Sequence, residues 1–163
     1  MNKSLILALT AFLTAGAFSV HAQSPSLTRK IAHRWIDALN AHDTLGLASL
    51  YADSAILLSP NWEGSRTGQG AVRDVYGRYF TSTPDLSYQL TNLVVTDSFL
   101  VIEYISSGAL SNPESTTPAH MKGRKYSLQN CTRLDIRDGK IQQQVNYFDQ
   151  VAFLRQVGFF DQH

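Results

Sequence analysis

The chain has 163 residues, which is the length of one domain and leaves no room for a second. Apolar residues make up 44% and charged residues 17%, and this balance excludes a disordered or low-complexity chain. A single cysteine excludes a disulfide-stapled scaffold and a cysteine-rich zinc module. The net charge of +1 provides no basic surface of the kind that binds nucleic acid or a membrane.

The first 22 residues have the features of a secretory signal peptide. Lys3 supplies the positive charge, residues 5–18 form a mostly apolar stretch, and Val20-His21-Ala22 has small residues at the positions that signal peptidase reads. The stretch is shorter than the roughly 20 apolar residues that a membrane-spanning helix needs. We therefore expect a signal peptide at 1–22, one domain at 23–163, and a periplasmic or secreted protein with no membrane partner after cleavage.

Three helices are predicted in the first half of the mature chain. Apolar residues recur at helical spacing from Leu27 to Leu39. Asp43 is placed to cap a second, short helix that includes Tyr51 on its buried side. A third helix is predicted over 71–80. Its inward side carries Val72, Val75, Tyr76, Tyr79 and Phe80.

Strands dominate the second half of the chain. Extended segments are predicted at 55–58, 86–96, 99–107, 123–137 and 140–148, followed by a closing helix at 150–157. Asp138-Gly139 is a strong hairpin signal between two strand-like runs. Early helices followed by antiparallel strands predict an α+β fold, and the space between the helices and the sheet is the natural ligand pocket.

Four stretches of the chain resemble a known family in their residues, order and spacing. They are Ala41-His42-Asp43 to Leu50-Tyr51-Ala52-Asp53-Ser54-Ala55; Gly68 to Phe80 with Pro84-Asp85-Leu86; Val101-Ile102-Glu103-Tyr104 to Gly108; and Gly123-Arg124 with Asp138-Gly139-Lys140-Ile141, Tyr147-Phe148-Asp149 and Leu154 to Gly158. With these strings the chain resembles the SnoaL-like (polyketide cyclase-like) group of the nuclear transport factor 2-like superfamily. The resemblance implies a cone-shaped, curved antiparallel sheet packed against three N-terminal helices. Because the superfamily contains isomerases, cyclases, dehydratases, hydrolases and binding proteins, it leaves the reaction open.

Asp149 is the first candidate for chemistry. It follows the last predicted strand in phase with Ile141, Val145 and Tyr147, so its carboxylate lines a cavity or makes a structural contact at the strand end. The family resemblance implies an acid/base role, because the SnoaL-like cyclases have an aspartate near this position. The alternative is an N-cap, since Asp149 directly precedes the closing helix.

Two tyrosines and a glutamate complete the sheet candidates. Tyr104 and Tyr147 are predicted to orient a substrate oxygen, as a tyrosine does in ketosteroid isomerase, a member of the same superfamily; otherwise they pack in the core. Glu103 alternates with Val101 and Ile105, so it either faces the pocket or lies on the open face of the sheet near Arg133.

Trp62, His120 and Tyr76 are the remaining predicted ligand contacts. Trp62 follows the first strand and could form the wall of a pocket mouth, while His120 lies on the loop before strand 123–137. No spacing of histidine and carboxylate residues suggests a metal site, and no nucleophile elbow is present. The string Gly108-Ala109-Leu110 replaces the family's usual Gly-Thr-His, so one family histidine is missing.

The sequence favours an exported acid/base enzyme of the cyclase, isomerase or dehydratase type. Its substrate would be a small, apolar, carbonyl-bearing molecule, and such chemistry requires no cofactor. A homodimer is expected. The alternatives are a non-catalytic periplasmic binding module with the same pocket, and a dimerising scaffold that buries Leu128, Leu134 and Ile136 of an open sheet face.

Overall fold

The computed structural model describes residues 25–161, so the predicted signal peptide lies outside the described residues. The helices are α1 (Pro25–Asn40), α2 (Thr44–Ala48), α3 (Gly68–Ser82) and α4 (Gln150–Gln156), and a short 3-10 turn spans Ala119–Met121. The strands are β1 (Tyr51–Leu58), β2 (Arg66–Thr67), β3 (Ser87–Val95), β4 (Phe99–Ala109), β5 (Lys125–Arg137) and β6 (Lys140–Phe148). Among these residues, no helix is long and apolar enough to cross a membrane.

The helices form as their sequence patterns predict. In α1, Ile31, Trp35 and Leu39 form one buried stripe against the sheet. Asp43 caps α2 as expected, because its carboxylate accepts a hydrogen bond from the Gly46 amide at 2.8 Å. Tyr51 does not extend this helix; it begins β1, where its side chain is fully buried.

The six strands form one open sheet in the order β2-β1-β6-β5-β4-β3. All neighbouring strands are antiparallel except β1 and β6, which run parallel. The predicted antiparallel sheet is therefore correct apart from this one pair. The parallel pair joins strands that are far apart in sequence, as parallel pairing requires a long connection.

Side chains alternate between two faces of the sheet. The inner face packs against α1 and α3 and contains the core, while the outer face lies opposite. The dominant fully buried side chains are Trp35, Tyr51, Leu57, Leu100, Ile102, Leu134 and Ile141. Leu128, Leu134 and Ile136 belong to the inner face and are buried there, so the prediction that they form an open dimerisation surface is wrong.

A β-bulge interrupts the alternation in β6. Ile136 pairs with Ile141, whereas the preceding residue Asp135 pairs with Gln143, so β6 contains one extra residue at Gln142. Ile141 consequently lies on the inner face before the bulge. After the bulge, the even-numbered residues of β6 lie on the inner face, and the first of them is the buried Gln144. One extra residue thus places every later side chain of the strand on the face opposite to the one that uninterrupted alternation would give it.

The chain end covers the open end of the helix–sheet layer. Leu110, Met121 and Val157 form a second small apolar cluster, against which Phe153 of α4 packs. Gly158 ends this segment with a positive φ of 77°, a conformation that favours glycine. The second cluster holds α4 over the edge of the inner face.

Candidate binding cavity

A cavity of about 120 Å³ lies between α3, α4 and the inner face of the sheet. Residues from nearly every surrounding element contribute to its wall. They are Asn61, Tyr76, Tyr79, Ser82, Thr83, Leu86, Tyr88, Tyr104, Ser106, Leu110, Tyr126, Leu128, Asn130, Asn146, Phe148 and Phe153. The position agrees with the pocket expected between helices and sheet in an α+β domain.

The cavity wall consists of phenols, amides, hydroxyls and apolar groups, and none of its residues carries a formal charge. Burial raises the pKa of Tyr104 to about 12. Burial also raises the pKa of Tyr76 and of Tyr88 well above the ordinary value of tyrosine. These phenols are therefore neutral at physiological pH and can donate hydrogen bonds.

A hydrogen-bond network runs from the core to the cavity wall. The Trp35 indole N–H donates to the Tyr51 hydroxyl at 2.8 Å, and Tyr51 donates to the Gln144 carbonyl oxygen. The Gln144 amide nitrogen donates to the Tyr76 hydroxyl and to Asn146 Oδ1, each at 2.8 Å. Since Trp35, Tyr51 and Gln144 are fully buried or nearly so, the network is shielded from water.

A second branch meets the network at Asn146. The Thr132 hydroxyl donates to Asn146 Oδ1 at 2.9 Å, and the Tyr104 hydroxyl lies 3.1 Å from Thr132 Oγ1. A threonine hydroxyl has one proton, which Thr132 directs to Asn146, so Tyr104 is the donor in its pair with Thr132. Tyr104 therefore turns its oxygen lone pairs, rather than its proton, towards the cavity.

Tyr88 is held by its backbone and has a free hydroxyl. Asn40 donates to the Tyr88 carbonyl at 2.9 Å and accepts from the Tyr88 amide at 2.8 Å. The Tyr88 side chain is 9% exposed, and within residues 25–161 its hydroxyl makes no hydrogen bond. The phenol thus provides the cavity with an unpaired polar group.

Of the residues predicted for the site, Tyr76 and Tyr104 line the cavity. Asp149 and Tyr147 do not. The Asp149 side chain is exposed and caps α4, accepting from the Ala152 amide at 2.9 Å. Tyr147 is 56% exposed on the outer face. Both follow the β6 bulge at odd positions, so the bulge turns them away from the face that Ile141 occupies.

Glu103 also lies on the outer face. It pairs across the strands with Cys131, which pairs with Tyr147, so these three residues form one row. Glu103 is exposed and accepts a hydrogen bond of 3.4 Å from Asn92. Burial and the Glu103 carboxylate raise the pKa of the Cys131 thiol. Glu103 thus adopts the open-face position, away from the cavity.

Trp62 and His120 lie near the cavity without lining it. Trp62 packs partly buried against the core, with the Arg66 guanidinium 5.9 Å from its ring centre. Its indole N–H is buried and has no hydrogen-bond partner in the described part of the chain. The His120 ring nitrogen lies 2.9 Å from the Gly158 carbonyl oxygen, so this histidine connects the loop to the chain end.

The sequence analysis missed Tyr88, Gln144 and Asn146. The alternation of Leu86, which directly precedes β3, with Tyr88 was available as a signal for Tyr88. For Gln144 and Asn146 the signal was weaker, because uninterrupted alternation from Ile141 places them on the outer face. Among the described residues there is no cluster of three or more histidine, cysteine or carboxylate side chains that could hold a metal ion.

The sequence matches one family model. The model is described as a SnoaL-like domain, and it matches residues 32–144. Comparison with curated proteins found no match. The matched range begins within α1, includes α2 and α3, and extends into β6, up to Gln144.

Solved structures share the fold. TsrD from Streptomyces laurentii is 24% identical with a TM-score of 0.70, over 83% of this chain and 97% of that chain. A SnoaL-like polyketide cyclase from Agrobacterium tumefaciens is 22% identical with a TM-score of 0.66, over 80% of this chain and 98% of that chain. A Catenulispora acidiphila protein with a ketosteroid isomerase-like fold, solved with trimethylamine, is 18% identical with a TM-score of 0.67, over 80% of this chain and 94% of that chain. The predicted fold class is confirmed.

Proposed function

The chain belongs to the SnoaL-like domain family, and on that premise we propose that it binds a small, uncharged and largely apolar molecule in the cavity between α3, α4 and the sheet. The composition of the wall carries this proposal. Five tyrosines and several apolar side chains surround the space, and none of the lining residues is charged. An ionic ligand would lose its hydration there without gaining a counter-charge, whereas an apolar molecule gains contact area.

A matched pair of neighbouring serines tests this proposal. Ser106 lines the cavity on the inner face, whereas Ser107 is the next residue of β4 and does not line this cavity. We expect Ser106→Leu to fill the cavity and weaken binding of small cyclic ketones at least tenfold, and Ser107→Leu to leave binding unchanged. Ligand-observed NMR titration measures both. Equal affinity in the two variants would contradict binding in this cavity, and mass spectrometry of co-purified molecules would identify the natural ligand.

Catalysis of the cyclase, isomerase or dehydratase type on a carbonyl-bearing molecule is the second candidate function. Family membership favours it, and neutral buried phenols are suited to stabilise an enolate oxygen by hydrogen bonding. Because no carboxylate or histidine lines the cavity and the Tyr104 proton is donated to Thr132, the predicted residue available to orient the oxygen is Tyr76, with Asp149 outside. Solvent or the substrate itself would then accept the proton.

Proton exchange of cyclic ketones and polyketide-like esters tests the catalytic candidate. Deuterium incorporation next to the carbonyl, followed by NMR, reports enolisation whatever the final product is. For an enzyme of this type we expect Tyr76→Phe to slow exchange at least tenfold and Asp149→Asn to leave the rate unchanged. If the wild-type protein exchanges protons no faster than buffer across the panel, catalysis is contradicted and binding is the remaining function. A slower exchange rate in Asp149→Asn would show that this carboxylate takes part in the mechanism.

Export and self-association complete the proposal. The signal-peptide pattern supports export, and the mature protein is then expected to begin at Gln23, which intact-mass measurement of the exported protein checks. Exposed side chains on the outer face, including Val94 and Tyr147 at 49% and 56% exposure, support a homodimer through that face. Sedimentation velocity at micromolar concentration tests it, and a stable monomer would contradict it.

A further inference from the structure

The cavity meets solvent at one part of its wall. Among the lining residues in the described chain, only Asn61 is exposed, and all the others are buried or half-buried. Asn61 belongs to the segment at residues 60–65 between β1 and β2, which we call the mouth loop. A molecule that enters the cavity through the exposed part of its wall therefore has to pass Asn61.

A single side-chain hydrogen bond holds the mouth loop against α3. The Asn61 side-chain amide donates to the Tyr79 hydroxyl at 2.7 Å, and both residues line the cavity. Within residues 25–161, it is the only side-chain hydrogen bond that joins the mouth loop to another helix or strand. The bond is exposed, so water can replace either partner and breaking the bond costs little free energy.

The mouth loop also contains a polar group that remains unsatisfied in this position. Trp62 follows Asn61 and packs partly buried against the core. Its indole N–H is buried and has no hydrogen-bond partner in the described chain. A buried donor without an acceptor has a free-energy cost, which water relieves when the loop moves outward. The loop is therefore held by a weak bond and opposed by a buried donor.

Helix α4 also borders the cavity, through Phe153, but it is held more firmly than the mouth loop. The Gln156 side chain accepts from the Ser127 amide at 2.7 Å and donates to the Ser127 carbonyl at 3.1 Å. The Phe153 ring packs edge-to-face on Tyr126, and Val157 at the end of the helix is fully buried. Of these two parts of the wall, the mouth loop is the one that opens more easily.

We propose that the mouth loop is a gate through which ligands enter and leave the cavity, with the Asn61–Tyr79 hydrogen bond as its latch and the buried Trp62 N–H as the group that favours opening. The proposal rests on the proposed binding function and specifies how a ligand reaches its site. A gate changes the rates of association and dissociation together, because both passages require the open loop. A side chain that only contacts the ligand changes mainly the rate of dissociation.

Hydrogen exchange of the two tryptophan indole N–H groups detects opening without any ligand. Trp35 is fully buried and donates to Tyr51 at 2.8 Å, so its indole proton is an internal reference. In NMR spectra recorded in D2O, we expect the Trp62 indole proton to exchange at least about 100-fold faster than that of Trp35. Asn61→Ala should accelerate exchange of the Trp62 proton alone. Equal exchange of the two protons, or no effect of Asn61→Ala, would contradict the gate.

The exchange kinetics of a bound probe test passage through the gate. With cyclohexanone as the probe, NMR line shapes give the association and dissociation rates. We expect Asn61→Ala to raise both rates about fivefold and to change the Kd by less than about twofold. Glu63→Ala, which alters an exposed side chain of the same loop, should change neither rate. A rise in the dissociation rate alone would make Asn61 a ligand contact and overturn the gate.

Trp62 provides a variant with the opposite expected effect. Substitution of Trp62 by benzothienylalanine keeps the shape of the side chain and removes the N–H, so the closed loop no longer contains an unsatisfied donor. We expect both rates for cyclohexanone to fall about fivefold at an unchanged Kd. Rates equal to or above those of the wild-type protein would overturn the role of this group.

The outcomes separate the gate from the binding proposal. Binding of cyclohexanone that is blocked by Ser106→Leu, with rates that neither mouth-loop variant changes, would overturn the gate and leave the binding function in place. Absence of binding, together with faster exchange of the Trp62 proton in Asn61→Ala, would contradict the binding function while supporting the opening of the loop.

Discussion

Asp149 illustrates how one carboxylate supports two interpretations. Its position after the last strand is suited both to a cavity base and to a helix cap, because both roles use the same acceptor oxygens. The sequence left both open. The structure gives the cap, with the Ala152 amide at 2.9 Å from Asp149 Oδ1. A carboxylate that is exposed and bonded to a helix end is not placed to contact a ligand in the cavity.

The cap predicts the effect of two substitutions at this position. Asp149→Ala removes the acceptor for the first turn of α4, and we expect the free energy of unfolding to fall by about 1 kcal/mol. Asp149→Asn keeps an acceptor oxygen and should cost only a few tenths of that amount. Urea denaturation measures both, and ketone binding should be unchanged in each. Weaker ligand binding in Asp149→Asn, at unchanged stability, would be evidence against a purely structural role.

At the scale of elements, most of the fold could be predicted because its signals are local. The apolar stripe of α1 and the Asp138-Gly139 turn are short-range patterns, and the structure confirms both. Asp138 and Gly139 have φ of 53° and 71°, values that this residue pair tolerates well. The parallel pairing of β1 with β6 was not predictable in this way, since it depends on contacts between distant parts of the chain.

The β6 bulge is an element-scale feature with a direct test. Deletion of Gln142 removes the extra residue, so Ile141 and Gln143 become consecutive partners of Ile136 and Asp135, and Gln144 and Asn146 keep their pairing and their face. Because neither the register nor the buried face changes, we expect the free energy of unfolding to fall by no more than about 1 kcal/mol.

Gln142→Ala is the matched control for the deletion. It keeps the chain length and removes only a hydrogen bond to the Arg137 carbonyl, so a loss below about 1 kcal/mol is expected. Thermal unfolding followed by circular dichroism compares the two variants. A deletion variant less stable than Gln142→Ala by more than about 3 kcal/mol would contradict the assignment of Gln142 as the extra residue of the bulge.

At the scale of the whole molecule, several tyrosines buried together make the protein sensitive to alkali. Burial raises the pKa of Tyr51, Tyr76, Tyr88 and Tyr104 in the folded state, while an unfolded tyrosine titrates near pH 10. The unfolded chain therefore releases these protons first as the pH rises. The stability linked to these groups is complete below about pH 10 and falls as the pH increases towards the folded pKa values, which is about 12 for Tyr104.

This linkage predicts a melting temperature that drops steeply above about pH 10. Tyr104→Phe should make the decline shallower, because one of the groups with a raised pKa is gone. Tyr147→Phe, which changes an exposed tyrosine of the same sheet, should leave the slope unchanged. Calorimetry between pH 7 and pH 11 measures the slopes, and identical slopes in the two variants would contradict the argument.

The candidate site was less predictable than the fold, for a physical reason. Tyr76 and Tyr104 could be identified because helical and strand periodicity place them inward. Asn146 gains its significance from Gln144, Tyr51 and Trp35, which lie on separate elements and meet only in the folded protein. Residue type and the periodicity of helices and strands therefore identified part of the cavity wall. The direction of the hydrogen bonds in that wall could be determined only from the folded structure.

The bulge at Gln142 also affects how relatives should be compared with this protein. In most strands, a one-residue gap in an alignment turns every later side chain to the other face. Here, a relative that lacks only the extra residue keeps the equivalents of Gln144 and Asn146 on the cavity face, because the gap falls at the bulge. Two family members whose last strands differ in length by one residue could thus have the same cavity wall, and counting residues back from the final helix becomes as informative as matching their identities.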